Sequence, residues 1–188
     1  MKSINLIGPV DKRLVAYPLL KALDLVGKCL VITDDANFRR FADDYSLNFN
    51  YGNSDFIIIH EIEKFDESKD LDQPISVYDY VLYITTNTIV ESDLIVYCHG
   101  LNKSFLTDEV YSKLQEMEHK EIYITPSKIK LNDIIQIPVG KNMGYVWACE
   151  ENREFISCTD STLTKVISSV FAEGLGMSKD ELVQYMAR

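Results

Sequence analysis

The chain has 188 residues, 46% apolar and 26% charged, with 19 Lys plus Arg against 29 Asp plus Glu and a net charge of −10. A chain of that length buries about 70% of its surface in one core, so residues 1–188 are expected to fold as a single domain without a disulfide or a metal. The apolar content excludes a disordered chain, and the acidic balance excludes broad nucleic-acid binding, which depends on clustered Lys and Arg.

The N-terminal apolar run is too short for a signal core or a membrane span, so a cytoplasmic protein is expected. Ile4 to Ile7 reads as a strand ending at Gly8. Leu14, Val15, Leu19, Leu20, Ala22, Leu23 and Val26 have helical spacing over Lys12 to Val26, with Pro18 predicting a kink or a later start and Gly27 a stop. Cys29 to Ile32 is a second strand, followed by polar Thr33, Asp34 and Asp35 and a short helix over Ala36 to Asp44. Phe56, Ile57, Ile58 and Ile59, within Asp55 to Ile62, form a run expected of a strand covered on both faces. Glu63 to Pro74 is a charged excursion between core strands.

Tyr78 to Thr85 and Asp93 to Cys98 are further strands, and Thr107 to Lys120 starts as a helix with Asp108 and Glu109 in its first turn. Glu121 to Thr125 is a strand ended by Pro126, and Ile134 to Val139 and Tyr145 to Cys149 are two more apolar runs. Asp160 opens a helix to about Leu175, and Ser178 with Glu181 forms a capping box for a last helix to Met186. Alternation of short buried strands with helices predicts a three-layer α/β fold. Its sheet is mainly parallel, with helices on both faces and antiparallel strands admitted near the C-terminus. In such sheets, ligands meet the loops at the carboxyl ends of strands, here Gly8 to Arg13, Thr33 to Asn37, Thr86 to Glu91 and His99 to Ser104.

Four cysteines, Cys29, Cys98, Cys149 and Cys158, have neither C-x-x-C nor zinc-finger spacing and read as buried thiols. His60 and His99, with Cys98 beside them, could meet at the carboxyl edge of a parallel sheet as a Cys/His nucleophile, but the spacing gives this no support and ordinary strand-end residues are the better reading. Asp34, Asp35, Asp43 and Asp44 are oxygen donors of the type hard cations prefer, but consecutive side chains diverge, so solvated charge is the better reading. Tyr45, Phe49 and Tyr51 suggest either an aromatic contact surface or ordinary half-buried residues. Thr164 to Met186 would pack on the core or form a dimer face, packing being the expected use.

The segment Ile7-Gly8-Pro9-Val10-Asp11-Lys12-Arg13 resembles the deviant Walker A loop of ParA and MinD-type ATPases, Lys-Gly-Gly-Val-Gly-Lys-Thr, with Gly8, Val10 and Lys12 matching. Pro9 lacks an N–H donor, Asp11 places a negative charge where phosphate would lie, and Arg13 replaces the hydroxyl that would hold Mg²⁺. Ile7 stands where the family carries its bridging lysine. Gly27 to Asp35 is similar to the family's second strand and its aspartate-bearing end, with Thr33 in place of its first Asp and Asp34 or Asp35 as substitutes. Tyr78 to Thr86 resembles the "YDYVIIDTP" strand, with Ile84 at the Mg²⁺-linked Asp, and Glu91 to Val96 the strand after it. A Gly-Pro turn with Asp11 as a plain helix cap accounts for the same loop without any ligand.

The resemblance spans about residues 1–100 and implies a P-loop NTPase-like fold with a degenerate site. It implies Gly8, Lys12, Arg13 and Asp34 as remnant nucleotide contacts, weak ATP or ADP binding at most, and no hydrolysis. The implied role is protein–protein contact in positioning, partition or assembly of a larger machine, often as a homodimer, with no direct nucleic-acid contact. The alternative is a nucleotide- or phosphate-ligand-binding protein or enzyme using Gly8 to Arg13.

Overall fold

A computed structural model describes residues 1–41, 47–100, 106–129 and 134–188. Eight strands form one sheet: β1 (Lys2–Ile7), β2 (Cys29–Thr33), β3 (Asn48–Tyr51), β4 (Ser54–Ile58), β5 (Tyr80–Thr85), β6 (Leu94–His99), β7 (Lys120–Thr125) and β8 (Gln136–Pro138). Their order is β3-β4-β2-β5-β1-β6-β7-β8, and every pairing is parallel except β3 with β4. The helices are α1 (Arg13–Leu23), α2 (Glu67–Asp70), α3 (Asp108–Glu116), α4 (Val139–Asn152), α5 (Ser161–Leu175) and α6 (Lys179–Ala187).

The central strands are apolar on both faces because both faces are covered, β2 and β6 being buried throughout. On one face Leu6, Val31, Leu82, Val96 and Ile122 meet Leu14 and Leu20 of α1, Val146 of α4, Ile167 of α5 and Leu182 of α6. The opposite face is divided. Ile7, Ile95 and Tyr97 pack under Leu114 of α3, while Leu30, Ile32 and Ile57 lie under Phe65, Leu71 and Ile75 of the charged excursion. That excursion is therefore a cover for the sheet, anchored by apolar residues spaced among its charges. The architecture is the expected three-layer α/β class with a mostly parallel sheet.

Several boundaries differ from the sequence reading. α1 begins at Arg13 with Pro18 inside it, so Pro18 does not delay its start. Tyr145 to Cys149 lies in α4, whose buried positions Asn142, Val146 and Cys149 recur at helical spacing. No antiparallel strands occur near the C-terminus among the described residues. β8 there is parallel, and the antiparallel pair is a hairpin turning at Gly52 and Asn53, with Gly52 at φ +59°. Ala36–Phe41 is a 3-10 turn, and the remainder of the helix expected to Asp44 lies outside the described residues. α3 ends at Glu116, and Lys120 already belongs to β7. The capping box between Ser178 and Glu181 forms as expected, and Leu182 and Met186 pack on the core. Among the described residues, no helix is long and apolar enough to cross a membrane.

Candidate functional site

The strand order creates a crevice at the carboxyl ends of β1 and β6. From β1 the chain crosses through α1 to β2 on one side, and from β6 it passes through α3 to β7 on the other. Adjacent strands with diverging connections leave an opening where ligands of such sheets bind. Gly8 to Arg13 occupies it.

Gly8 adopts φ +143°, a conformation that L side chains rarely adopt, and donates its N–H to the Thr85 carbonyl at 3.0 Å. A Cβ at this position would lie 1.8 Å from the Cys98 carbonyl oxygen. The loop then turns so that Lys12, only 1% exposed, points back into it. Its Nζ donates to the Gly8 carbonyl at 2.6 Å and the Val10 carbonyl at 3.2 Å, and lies 3.3 Å from Asp35 Oδ2. Asp35 is itself fixed: its N–H donates to Thr33 Oγ1, and its Oδ1 accepts from the Asn37 backbone and side chain.

Arg13 opens α1 and is held between two acids. Its Nε and Nη2 donate to the Asp11 carboxylate at 2.9 and 2.6 Å, and its Nη1 donates to Glu150 Oε1 at 2.6 Å. The same Glu150 oxygen accepts from the Tyr17 hydroxyl at 3.0 Å, while Arg40 lies 3.7 Å from the other oxygen. Asp11 Oδ1 also accepts from the Arg13 backbone N–H at 3.1 Å; Asp11 stands one residue before the N-cap, Lys12, whose side chain makes no capping bond, so it is not itself the helix cap. The positive end of α1, where an anion would be favoured, thus already carries a carboxylate.

Of the four residues expected to form a site, the structure brings Gly8, Lys12 and Arg13 together but gives both cations to carboxylates of this chain. Asp34 turns elsewhere, accepting from the Thr86 N–H at 2.8 Å and the Thr86 hydroxyl at 2.9 Å. Asp35, not Asp34, meets Lys12. Thr33 donates its hydroxyl to the Ile84 carbonyl, and Ile84 is fully buried in the core. Thr86 belongs to one of the loops expected at this edge of the sheet, whereas no local pattern in the sequence links Glu150 or Tyr17 to the site.

The carboxyls flanking the loop titrate in opposite directions. Burial pushes the Asp34 carboxyl above its ordinary value of 3.8, and the Thr86 bonds and the charge of Lys12 offset only part of this. The folded protein then holds that proton more tightly than the unfolded chain, so stability falls as pH rises from 3.8 through the folded value. Asp34→Asn is expected to be more stable than the wild type at neutral pH, with the advantage vanishing in acid. Burial also raises Asp11, but Arg13, by bonds and charge, outweighs it and holds that carboxyl below 3.8. Asp11→Asn is therefore expected to lose stability at neutral pH, and the loss should fade as pH falls through the folded value. Urea unfolding of both variants at about pH 7 and about pH 3 reads these signs, and equal responses would contradict them.

The other candidates do not assemble. β2, β5 and β1 lie between the strands that end near His60 and His99, a separation of about 19 Å at the usual strand spacing. His99 is fully buried, stacked 4.3 Å from Tyr97 with its Nε2 3.3 Å from Glu121. Burial pushes the Cys98 thiol up to about 12, against a nucleophilic role. All four cysteines are free and buried. Among the described residues, no group of three or more His, Cys, Asp or Glu could hold a metal ion. Asp43, Asp44 and Tyr45 lie outside those residues, as does the loop from Leu101 to Phe105. Phe49 stacks on Phe56 at 4.8 Å and Tyr51 meets Phe155 edge-on at 4.9 Å, so both pack internally. A cavity of about 290 Å³ opens away from the loop, between β3 and the excursion, lined by Asn48, Asn50, Asp55, Leu71, Gln73 and Tyr78. Comparison with models of known protein families and with characterised proteins returns no match, so the reading of this crevice rests on its geometry.

Proposed function

We propose that this chain is a ParA/MinD-like protein with a degenerate nucleotide loop, acting through protein–protein contacts in positioning, partition or assembly of a larger machine. A homodimer is one form such contact takes. The observation that carries this reading is the commitment of Lys12. Its ammonium is sequestered by two carbonyls of its own loop and by Asp35, where a phosphate-binding lysine would face a ligand. Three further features support it. Asp11 occupies the helix N-terminus, Arg13 is clamped by Asp11 and Glu150, and Ile84 supplies no carboxylate for Mg²⁺. The loop becomes a joint between β1, α1 and α4 rather than a cradle.

The test is thermal unfolding with ATP plus Mg²⁺. A ligand at a hundredfold excess over its dissociation constant adds about 2.7 kcal/mol, or about 5–11 °C for a domain of this size. The expected result is an unchanged Tm. A concentration-dependent rise with ATP or ADP would overturn the proposal in favour of a nucleotide-binding protein.

A further inference from the structure

β8 closes one end of the sheet and, among the described residues, pairs only with β7. The Ile135 carbonyl accepts from the Tyr123 N–H at 2.8 Å, so the backbone of Ile135 faces β7. Successive residues of a strand alternate in direction, which turns the backbone N–H and C=O of Gln136 toward the open edge. Beside that edge, β8 and α5 form a trough of about 360 Å³ with Ile134, Ile135 and Val166 as its apolar surface and Thr162, Lys128 and Lys165 around it. No carboxylate among the described residues lines it, although the chain carries a net charge of −10. Among the described residues, neither Lys128 nor Lys165 has an ion-pair partner, whereas nearby Lys141 is paired with Asp160 at 2.7 Å. Among the described residues, an acidic molecule thus presents two unpaired ammonium groups beside a trough that has an apolar floor and a terminal strand of the sheet.

We propose that this trough docks an extended acidic segment of a partner protein. Aliphatic side chains of the segment lie against Ile135 and Val166, carboxylates sit beside Lys128 and Lys165, and its backbone pairs with Gln136. Charge complementarity selects the acidic partner, and the apolar surface selects alternating aliphatic residues. Pro138 ends the strand and cannot donate, so backbone pairing is short and the charges carry much of the specificity. This gives the contact reading above a surface and rests on it.

The test is an NMR titration of the full chain with an acetylated heptapeptide in which Glu alternates with Val. Saturable shifts are expected at the amides of Gln136, Val166 and Ser169. Binding should weaken with added salt and by about tenfold in the Lys128→Glu/Lys165→Glu variant, while a peptide with Lys in place of Glu should not bind. Both lysines are exposed, and an unchanged Tm of the variant confirms that it folds. Shifts elsewhere, no saturable shift, or binding indifferent to charge reversal would overturn the proposal. Self-association abolished by the same charge reversal would also overturn it, by making a second copy the occupant. Absence of peptide binding alongside an ATP-insensitive Tm removes only this surface. An ATP-induced rise removes the contact reading itself.

Discussion

Lys12→Met is expected to lower the unfolding free energy by about 3–5 kcal/mol, the usual cost of removing one partner from a buried ion pair. Lys12 is 1% exposed and Asp35 8%, so neither group recovers water when its partner is lost. Methionine fills most of the lysine volume, and the loss is therefore electrostatic rather than a cavity effect. It leaves the Asp35 carboxylate facing the carbonyls of Gly8 and Val10 without the ammonium between them. Adding Asp35→Asn removes the stranded charge and should recover a large part of the deficit, since replacing both members of a buried pair is far milder than replacing one. Urea unfolding of the wild type, both single variants and the double variant gives the coupling directly. A harmless Lys12→Met would mean that the ammonium does not hold the loop, and the strongest support for a structural Lys12 would disappear. The cycle thus bears on function as well as on folding. A lysine that stabilises its own loop by this amount must give up that energy before it can turn to a phosphate.

The sheet was legible because burial on both faces writes strands as unbroken apolar runs, as in Cys29–Thr33 and Leu94–His99. α4 was not, because Tyr145 to Cys149 taken alone has strand length, and Gly140 and Gly144 weaken the helical signal on its N-terminal side. β3 escaped for another reason. Asn48-Phe49-Asn50-Tyr51 alternates correctly for a half-exposed strand, but four residues before a Gly-Asn turn make a short signal. At the crevice, the position of the loop followed from the order of elements, whereas its partners did not. Arg13 and Glu150 are 137 positions apart, and only the docking of α4 on α1 brings them together. The choice of Asp35 over Asp34 depends on the turn after β2, where the Thr33 hydroxyl captures the Asp35 N–H and directs the two carboxylates apart.

Gly8→Ala should be the most damaging single substitution in the loop. Two costs combine. A side chain at φ +143° carries about 1–3 kcal/mol of backbone strain, and its Cβ would stand 1.8 Å from the Cys98 carbonyl oxygen and 2.9 Å from the carbonyl carbon. That carbonyl cannot retreat cheaply, because β6 is held between β1 and β7. The expected loss exceeds about 4 kcal/mol, enough for the variant to accumulate as unfolded protein. Gly144→Ala is the matched control. Gly144 lies within α4 with nothing within 4 Å of an added Cβ, so alanine there should stabilise by about 0.8–1 kcal/mol through helix propensity alone. Opposite signs at the two positions would tie the demand for glycine to close backbone approach. A tolerated Gly8→Ala would mean that β1 and β6 can separate at their carboxyl ends, and space for a ligand would then exist where the structure places a carbonyl. In a phosphate-binding loop the ligand imposes the glycine, whereas here a neighbouring strand imposes it before any ligand arrives.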